Sequence, residues 1–204
     1  FRKDIWNLIV QVFSFKWNEH TGFVVFILIS MIPTGIVGLL FESEIEGFFQ
    51  GRIMFVGFML LITAAVLFLT RFVKKNDKDI SYLKALLIGI AQTIAILPGI
   101  SRSGATIGTA LLLGVDKNIA TRFSFLMVLP PIAGATLLKL KDLLQTPAAY
   151  NHEITSLGIG FIAAFVSGVI ACSWMLNLVR KGNISYFSIY CLIIGLIAIG
   201  VSVF

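Results

Sequence analysis

The sequence predicts an all-α fold: a polytopic transmembrane helical bundle built around one re-entrant helical hairpin. Three observations predict it. The 204 residues are 58% hydrophobic and 13% charged, against about 45–50% apolar and about 25% charged in soluble domains. Uncharged apolar stretches recur at the length needed to cross about 30 Å of hydrocarbon. Near the middle, two apolar pieces too short to span flank a Pro/Gly/Ser break that contains an arginine. With a mean hydropathy of +0.97, the bilayer is the natural solvent for this chain.

Taken in order, residues 1–20 place Ile5, Leu8, Ile9, Val12 and Phe13 at helical spacing, one apolar face beside Arg2, Lys3 and Lys16. This reads as an interfacial helix or as the end of a preceding one. Residues 22–41 carry no charge and form the first span, bent at Pro33 and Gly35. Residues 53–73 form the second, bounded by Arg52 and Arg71. Between them, Glu42, Glu44 and Glu46 mark a solvated acidic link. After a charged loop at 71–84 come an apolar piece at 83–97, the break at 98–104 and another apolar piece at 105–114. Neither piece spans, so residues 83–114 are expected to dip in and return, with the break lining a polar cavity. A span at 123–138, interrupted by Pro130 and Pro131, leads through a polar link at 139–153 to spans at 157–179 and 186–204. The span at 157–179 is rich in small residues (Gly158, Gly160, Ala163, Ala164, Ser167, Gly168, Ala171), as close helix packing requires. The whole chain, 1–204, reads as a single membrane domain.

The re-entrant topology also sorts the charges. With 83–114 returning to its own side, Arg2, Lys3, Lys16, Arg71, Lys74, Lys75, Lys78, Lys84, Lys117, Arg122, Arg180 and Lys181 share one face, opposite Arg52, Lys139 and Lys141. A single crossing instead splits the basic residues ten to five. The first split obeys the positive-inside rule better and puts residue 1 in the cytoplasm and residue 204 outside. The net charge of +6 therefore reflects topology and anionic lipid, and no basic stripe points to nucleic acid. Cys172 and Cys191 lie in apolar stretches without metal spacing, and His20 and His152 sit in polar segments with no second ligand nearby.

The chemistry concentrates at the break. Arg102 sits between two apolar half-segments, where a charge costs roughly 2.5–3.5 kcal/mol even on insertion scales. No acidic residue lies within ten positions on either side, so its partner is another part of the fold or a ligand. Gly99 and Gly104 allow close backbone approach, and Ser101, Ser103 and Thr106 add hydroxyls. A helix starting near Ala105 would aim its positive end at the same point. Guanidinium, hydroxyls and helix terminus together describe an anion site that suits phosphate. The serines also fit a purely structural role as helix caps. Gln92 either reaches this cavity or hydrogen-bonds a neighbouring helix.

The stretch from Gln92 to Thr106, with Pro-Gly-x-Ser-Arg-Ser-x-x-Thr at 98–106, resembles the signature of the BacA/UppP family of undecaprenyl-diphosphate phosphatases. The likeness extends to Ile32 and Pro33 and to residues 38–42, 85–92, 104–107, 112–114 and 123–126, so it covers nearly the whole chain. It implies removal of the terminal phosphate of undecaprenyl diphosphate, recycling the carrier lipid for peptidoglycan, with bacitracin resistance on overproduction. It implies inverted repeats, each with a re-entrant hairpin, of which this chain would hold one half plus flanking spans. It further implies a cavity open to the periplasm, in a bacterial inner-membrane protein, and a supporting Mg²⁺ or Ca²⁺. By motif, Arg102 would hold the diphosphate, with Ser101, Ser103 and Thr106 beside it and Gly99, Gly104 and Gln92 completing the substrate site. The family's second motif, an N-terminal hairpin with glutamates, serines and a histidine, has no match here. The expectation is therefore an N-terminally truncated chain that lacks the nucleophile, the acid/base and the metal ligands, and that is inactive alone. The expected partners are undecaprenyl diphosphate and membrane lipids, with a homodimer left open. A competing reading is a transporter or flippase, since re-entrant hairpins and an anionic-headgroup site serve transport equally well.

Overall fold

The computed structural model describes residues 6, 19–49, 53–73, 79–145, 154–181 and 185–203. The amphipathic face expected at 5–13, residues 74–78 of the charged loop and residues 146–153 of the polar link lie outside the described residues. Among the described residues the regular structure is helical throughout. In chain order, α1 is Glu19–Leu40, α2 Glu42–Phe48, α3 Ile53–Leu69, α4 Tyr82–Ile94, α5 Arg102–Leu112, α6 Lys117–Leu126, α7 Leu129–Gln145, α8 Ile154–Lys181 and α9 Ser185–Val203. Four stretches are long and apolar enough to cross a membrane: Thr21–Leu40, Ile53–Phe72, Lys117–Leu137 and Ser156–Met175. Large apolar side chains stand on the outside, Leu39 at 82% exposure and Phe161 at 74%. Water would not tolerate such continuous apolar surface, and lipid does. The chain is an all-α, multi-pass membrane protein.

The expected spans and the observed helices differ where polar residues were read as links. Glu42, Glu44 and Glu46 lie on a short helix, α2, rather than in an open link. Residues 139–145, read as part of a polar link, continue α7 to Gln145. The apolar stretch at 123–138 is divided at Met127–Val128, ahead of the two prolines. Pro130 and Pro131 fall in the first turn of α7, where a missing N–H sacrifices no intrahelical bond. They start a helix instead of breaking one. His20 lies in the first turn of α1, just ahead of the candidate span at Thr21–Leu40 and so outside it, as expected.

The chain divides into two compact units, Phe1–Met127 with Ile184–Phe204, and Val128–Asn183. The second contains α7 and α8. In the first, α3 packs along α9 and α1 along α4. Both crossings depend on glycine. A Cβ on Gly57 of α3 would lie 2.6 Å from Ile199 Cγ1, and one on Gly195 of α9 would lie 3.0 Å from Gly57 O. A Cβ on Gly89 of α4 would overlap the backbone of Ser30 in α1. Without a hydrophobic drive between helices in lipid, such close backbone approach supplies the association. Ser188 adds a hydrogen bond from its Oγ to Ala64 O across the α3–α9 contact, at 2.7 Å.

The hairpin is α4 and α5, which pack on each other. Their 13 and 11 residues make helices of roughly 20 and 16 Å, each short of the roughly 30 Å hydrocarbon core. α5 ends in a Schellman motif: Val115 N–H donates to Ala110 O (3.0 Å), Gly114 N–H donates to Leu111 O (2.9 Å), and Gly114 takes φ 76°. Asp116 then caps α6, accepting from the N–H groups of Asn118 (2.8 Å) and Ile119 (3.1 Å). The core beneath the hairpin centres on the fully buried Phe123, Ile88 and Met127, with Phe23 edge-on to Phe123 at 5.5 Å.

Candidate active site

Between α4 and α5 the chain makes a turn that its residues specify. Ile100 N–H donates to Leu97 O at 3.2 Å, with Pro98 and Gly99 as the central pair. Pro at the first central position and a positive φ at the second define a type II turn. Gly99 has φ 97°, and a Cβ there would sit 2.5 Å from Val56 O in α3. Gly99→Ala is therefore expected to cost about 2 kcal/mol or more from the left-handed backbone alone, read as a fall in the thermal unfolding midpoint in detergent. An unchanged midpoint would contradict this turn.

Ser101 follows as the N-cap of α5. Its Oγ accepts from Gly104 N–H at 3.2 Å, and its own N–H donates to Thr63 Oγ1 in α3 at 3.2 Å. The helix thus begins at Arg102, three residues before the expected start at Ala105, because the cap engages Gly104. Gly104 makes room for this: a Cβ there would lie 3.0 Å from Ser101 Oγ and 3.2 Å from Thr63 Cγ2. The structural role of a serine at this break is realised at Ser101, which keeps its hydroxyl hydrogen for donation. Ser103 sits in the first turn, and its hydroxyl has no partner among the described residues. The backbone N–H groups of Arg102 and Ser103 are first-turn donors without intrahelical acceptors.

Arg102 is partly buried, and desolvation is the environmental effect it experiences, with no carboxylate against it among the described residues. Its Nη2 donates to Gln92 Oε1. That uses one of five N–H donors. Gln92, 2% exposed, donates from Nε2 to Thr34 Oγ1 in α1 at 3.2 Å. Both alternatives for Gln92 are thus met at once: it reaches the site, and it bonds a neighbouring helix. Thr106 is 1% exposed and faces inward. Its Oγ1 donates to Arg102 O at 2.9 Å and pairs with Ser124 Oγ of α6 at 2.6 Å. It holds the first turn of α5 from below.

Of the residues expected at the site, Arg102, Ser101, Ser103 and Gln92 converge at the break, with Gly99 and Gly104 shaping it and Thr106 supporting it. Sequence reasoning missed Thr34, Thr63, Thr93 and Ser124. A signal for one was available, because Thr63 is the only residue with a polar side chain in α3, and a lone hydroxyl in an apolar span needs a reason. No group of three His, Cys, Asp or Glu side chains comes together among the described residues. Among the described residues, the groups around Arg102 are mainly N–H and O–H donors with no carboxylate beside them, a set that suits an anion better than a divalent cation.

This arrangement of residues occurs in a chain with relatives. Residues 1–197 match the family described as bacitracin resistance protein BacA. The chain belongs to the BacA family. It is 52% identical over 200 residues to the undecaprenyl-diphosphatase of Christiangramia forsetii, covering 98% of this chain and 75% of that protein. It is 50% identical over 202 residues to the undecaprenyl-diphosphatase of Bacteroides fragilis, covering 98% and 76%. At 37% identity over 208 residues, the undecaprenyl-diphosphatase of Oceanobacillus iheyensis is also similar, with 98% and 75% covered. The BacA resemblance read from residues 98–106 thus extends along the chain.

Proposed function

We infer that this protein is an undecaprenyl-diphosphate phosphatase. It hydrolyses the terminal phosphoric anhydride of undecaprenyl diphosphate, releasing inorganic phosphate and undecaprenyl phosphate. The observation that carries the chemistry is Arg102, a cation held at the tip of a re-entrant hairpin with most of its donors unspent. As the bond between the terminal phosphorus and the bridging oxygen breaks, charge builds on the phosphoryl oxygens and on the leaving lipid phosphate. Positioned N–H donors stabilise that charge most where water is excluded. The remaining guanidinium hydrogens, the hydroxyls of Ser101 and Ser103 and the free N–H groups at the start of α5 are the available donors. Neither hydroxyl has an imidazole or carboxylate among the described residues to take its proton, so these residues hold and polarise the diphosphate rather than attack it.

The isoprenoid tail lies along the apolar helix faces in the bilayer. Family membership and the excess of Lys and Arg on one face support a place in the bacterial inner membrane, with the site opening to the periplasmic side. Regenerating the lipid carrier in this way supports peptidoglycan synthesis and bacitracin resistance.

The test is phosphate release from undecaprenyl diphosphate in detergent, using the protein expressed from its complete gene. Stoichiometric appearance of undecaprenyl phosphate is expected. Binding of the lipid without any phosphate release would replace this reading with a headgroup carrier.

A further inference from the structure

The amide of Gln92 has to meet Arg102 with its oxygen, because a guanidinium carries donors only. An amide flipped by half a turn would set NH2 against the cation. Something must choose, and the hydrogen bonds behind Gln92 show what does. Thr93 Oγ1 donates to Gly89 O, a backbone acceptor with no hydrogen to give, at 2.9 Å. Its only hydrogen is then used. In the 3.0 Å contact between Thr34 Oγ1 and Thr93 Oγ1, the donor is therefore Thr34. That leaves the Thr34 oxygen as the acceptor that receives Gln92 Nε2–H at 3.2 Å. Donation runs one way: Gln92 to Thr34, Thr34 to Thr93, Thr93 to the Gly89 carbonyl.

We propose that Thr34, backed by Thr93, is a positioning residue for Arg102. It fixes the Gln92 amide so that the carbonyl oxygen faces the guanidinium. The arrangement also ties two helices to the site, since Thr34 is on α1 and Thr93 on α4. These helices already touch where Gly89 meets Ser30, one turn below. A neutral acceptor matters here. Gln92 orients the guanidinium without cancelling its charge, so the full positive charge stays available to a diphosphate. The reverse chain, with Thr93 donating to Thr34 and Thr34 to the amide, would leave the Gly89 carbonyl without that donor and turn the NH2 toward Arg102. The bond to the Gly89 carbonyl favours the first direction.

This inference rests on the phosphatase reading, and the experiment separates the two. In the protein from its complete gene, kcat and KM for phosphate release are measured for Thr34→Val, Thr34→Ser and Thr93→Val, with the thermal unfolding midpoint alongside. Valine keeps the shape and removes the hydroxyl. Losing one oriented bond to a buried polar group corresponds to about a tenfold loss in kcat/KM, expected for Thr34→Val. Thr34→Ser restores most of the activity. The readout that a merely structural role would not move is a double-mutant cycle. In a Gln92→Ala background, Thr34→Val should cost nothing further, because the amide it positions is gone. An active Thr34→Val protein, or a loss of the same size in the Gln92→Ala background, would overturn the positioning role. If Thr34→Val fails to fold, Thr34→Ala carries the same cycle. No phosphate release from undecaprenyl diphosphate by the parent protein would instead bring down the phosphatase reading beneath it.

Discussion

Arg102→Ala is expected to lower phosphate release from undecaprenyl diphosphate by about 10²–10³-fold, the cost of removing an oriented donor from a site of developing charge. Arg102→Lys is expected to lose nearly as much. Lysine keeps the charge but presents a compact ammonium in place of a planar fork, so it cannot bond Gln92 Oε1 and grip two phosphate oxygens together. Stability should move the other way. A partly buried cation with no carboxylate beside it among the described residues costs folding energy, so Arg102→Leu should unfold at the same temperature as the parent or a higher one. Steady-state kinetics and thermal unfolding on the same detergent preparations check both halves. Full activity in Arg102→Lys would show that charge alone suffices and that the fork geometry does not matter. A lower unfolding midpoint in Arg102→Leu would make this residue structural.

The second large effect belongs to Gln92→Glu, which changes almost no volume. The new carboxylate would sit against the Arg102 guanidinium, where Gln92 Oε1 accepts now. In a low-dielectric setting the two charges pair strongly. The site then loses its net positive charge and gains a repulsive group facing the diphosphate. A loss of about a hundredfold in kcat/KM is expected, consistent with breaking charge complementarity at a desolvated site. Much of it should appear as a raised KM, because the ground-state diphosphate is repelled as well. The unfolding midpoint should hold or rise, because the buried cation gains a counter-charge. Activity close to the parent would mean that the amide at Gln92 is not in electrical contact with the substrate. The Gln92→Glu and Gln92→Ala variants together distinguish loss of orientation from loss of charge.

Much of the architecture could be read because membrane helices obey a one-dimensional rule. A stretch without charges and of sufficient length must satisfy its backbone internally and become a helix. Hence the spans at 22–41 and 53–73 agree with α1 and α3 to within a few residues. The hairpin was legible for the same reason, since two short apolar pieces around Pro98 and Gly99 have no other economical place to go. Boundaries were harder where polarity gave a false cue. The prolines at 130 and 131 resemble a helix break, yet they occupy the first turn of a helix, where their missing N–H groups are not needed. The glutamates at 42, 44 and 46 resemble a link and form a helix, because alternation of charge does not by itself prevent helical hydrogen bonding.

By itself, the sequence determined that this chain lives in a membrane, that residues 98–106 break two short apolar pieces, and that Arg102 lies within that break. Those conclusions need only local facts: hydropathy, turn residues and a charge where charges are expensive. The tertiary structure alone decided which hydroxyls surround that arginine and which way their hydrogen bonds run. Thr34 and Thr63 are 68 and 39 positions before Arg102 in the sequence and reach its neighbourhood only because glycines at 89 and 99 let α1 and α3 approach the hairpin at backbone contact. Hydrogen-bond direction has the same origin. A threonine hydroxyl donates or accepts with equal ease until a fixed carbonyl, here that of Gly89, removes the choice.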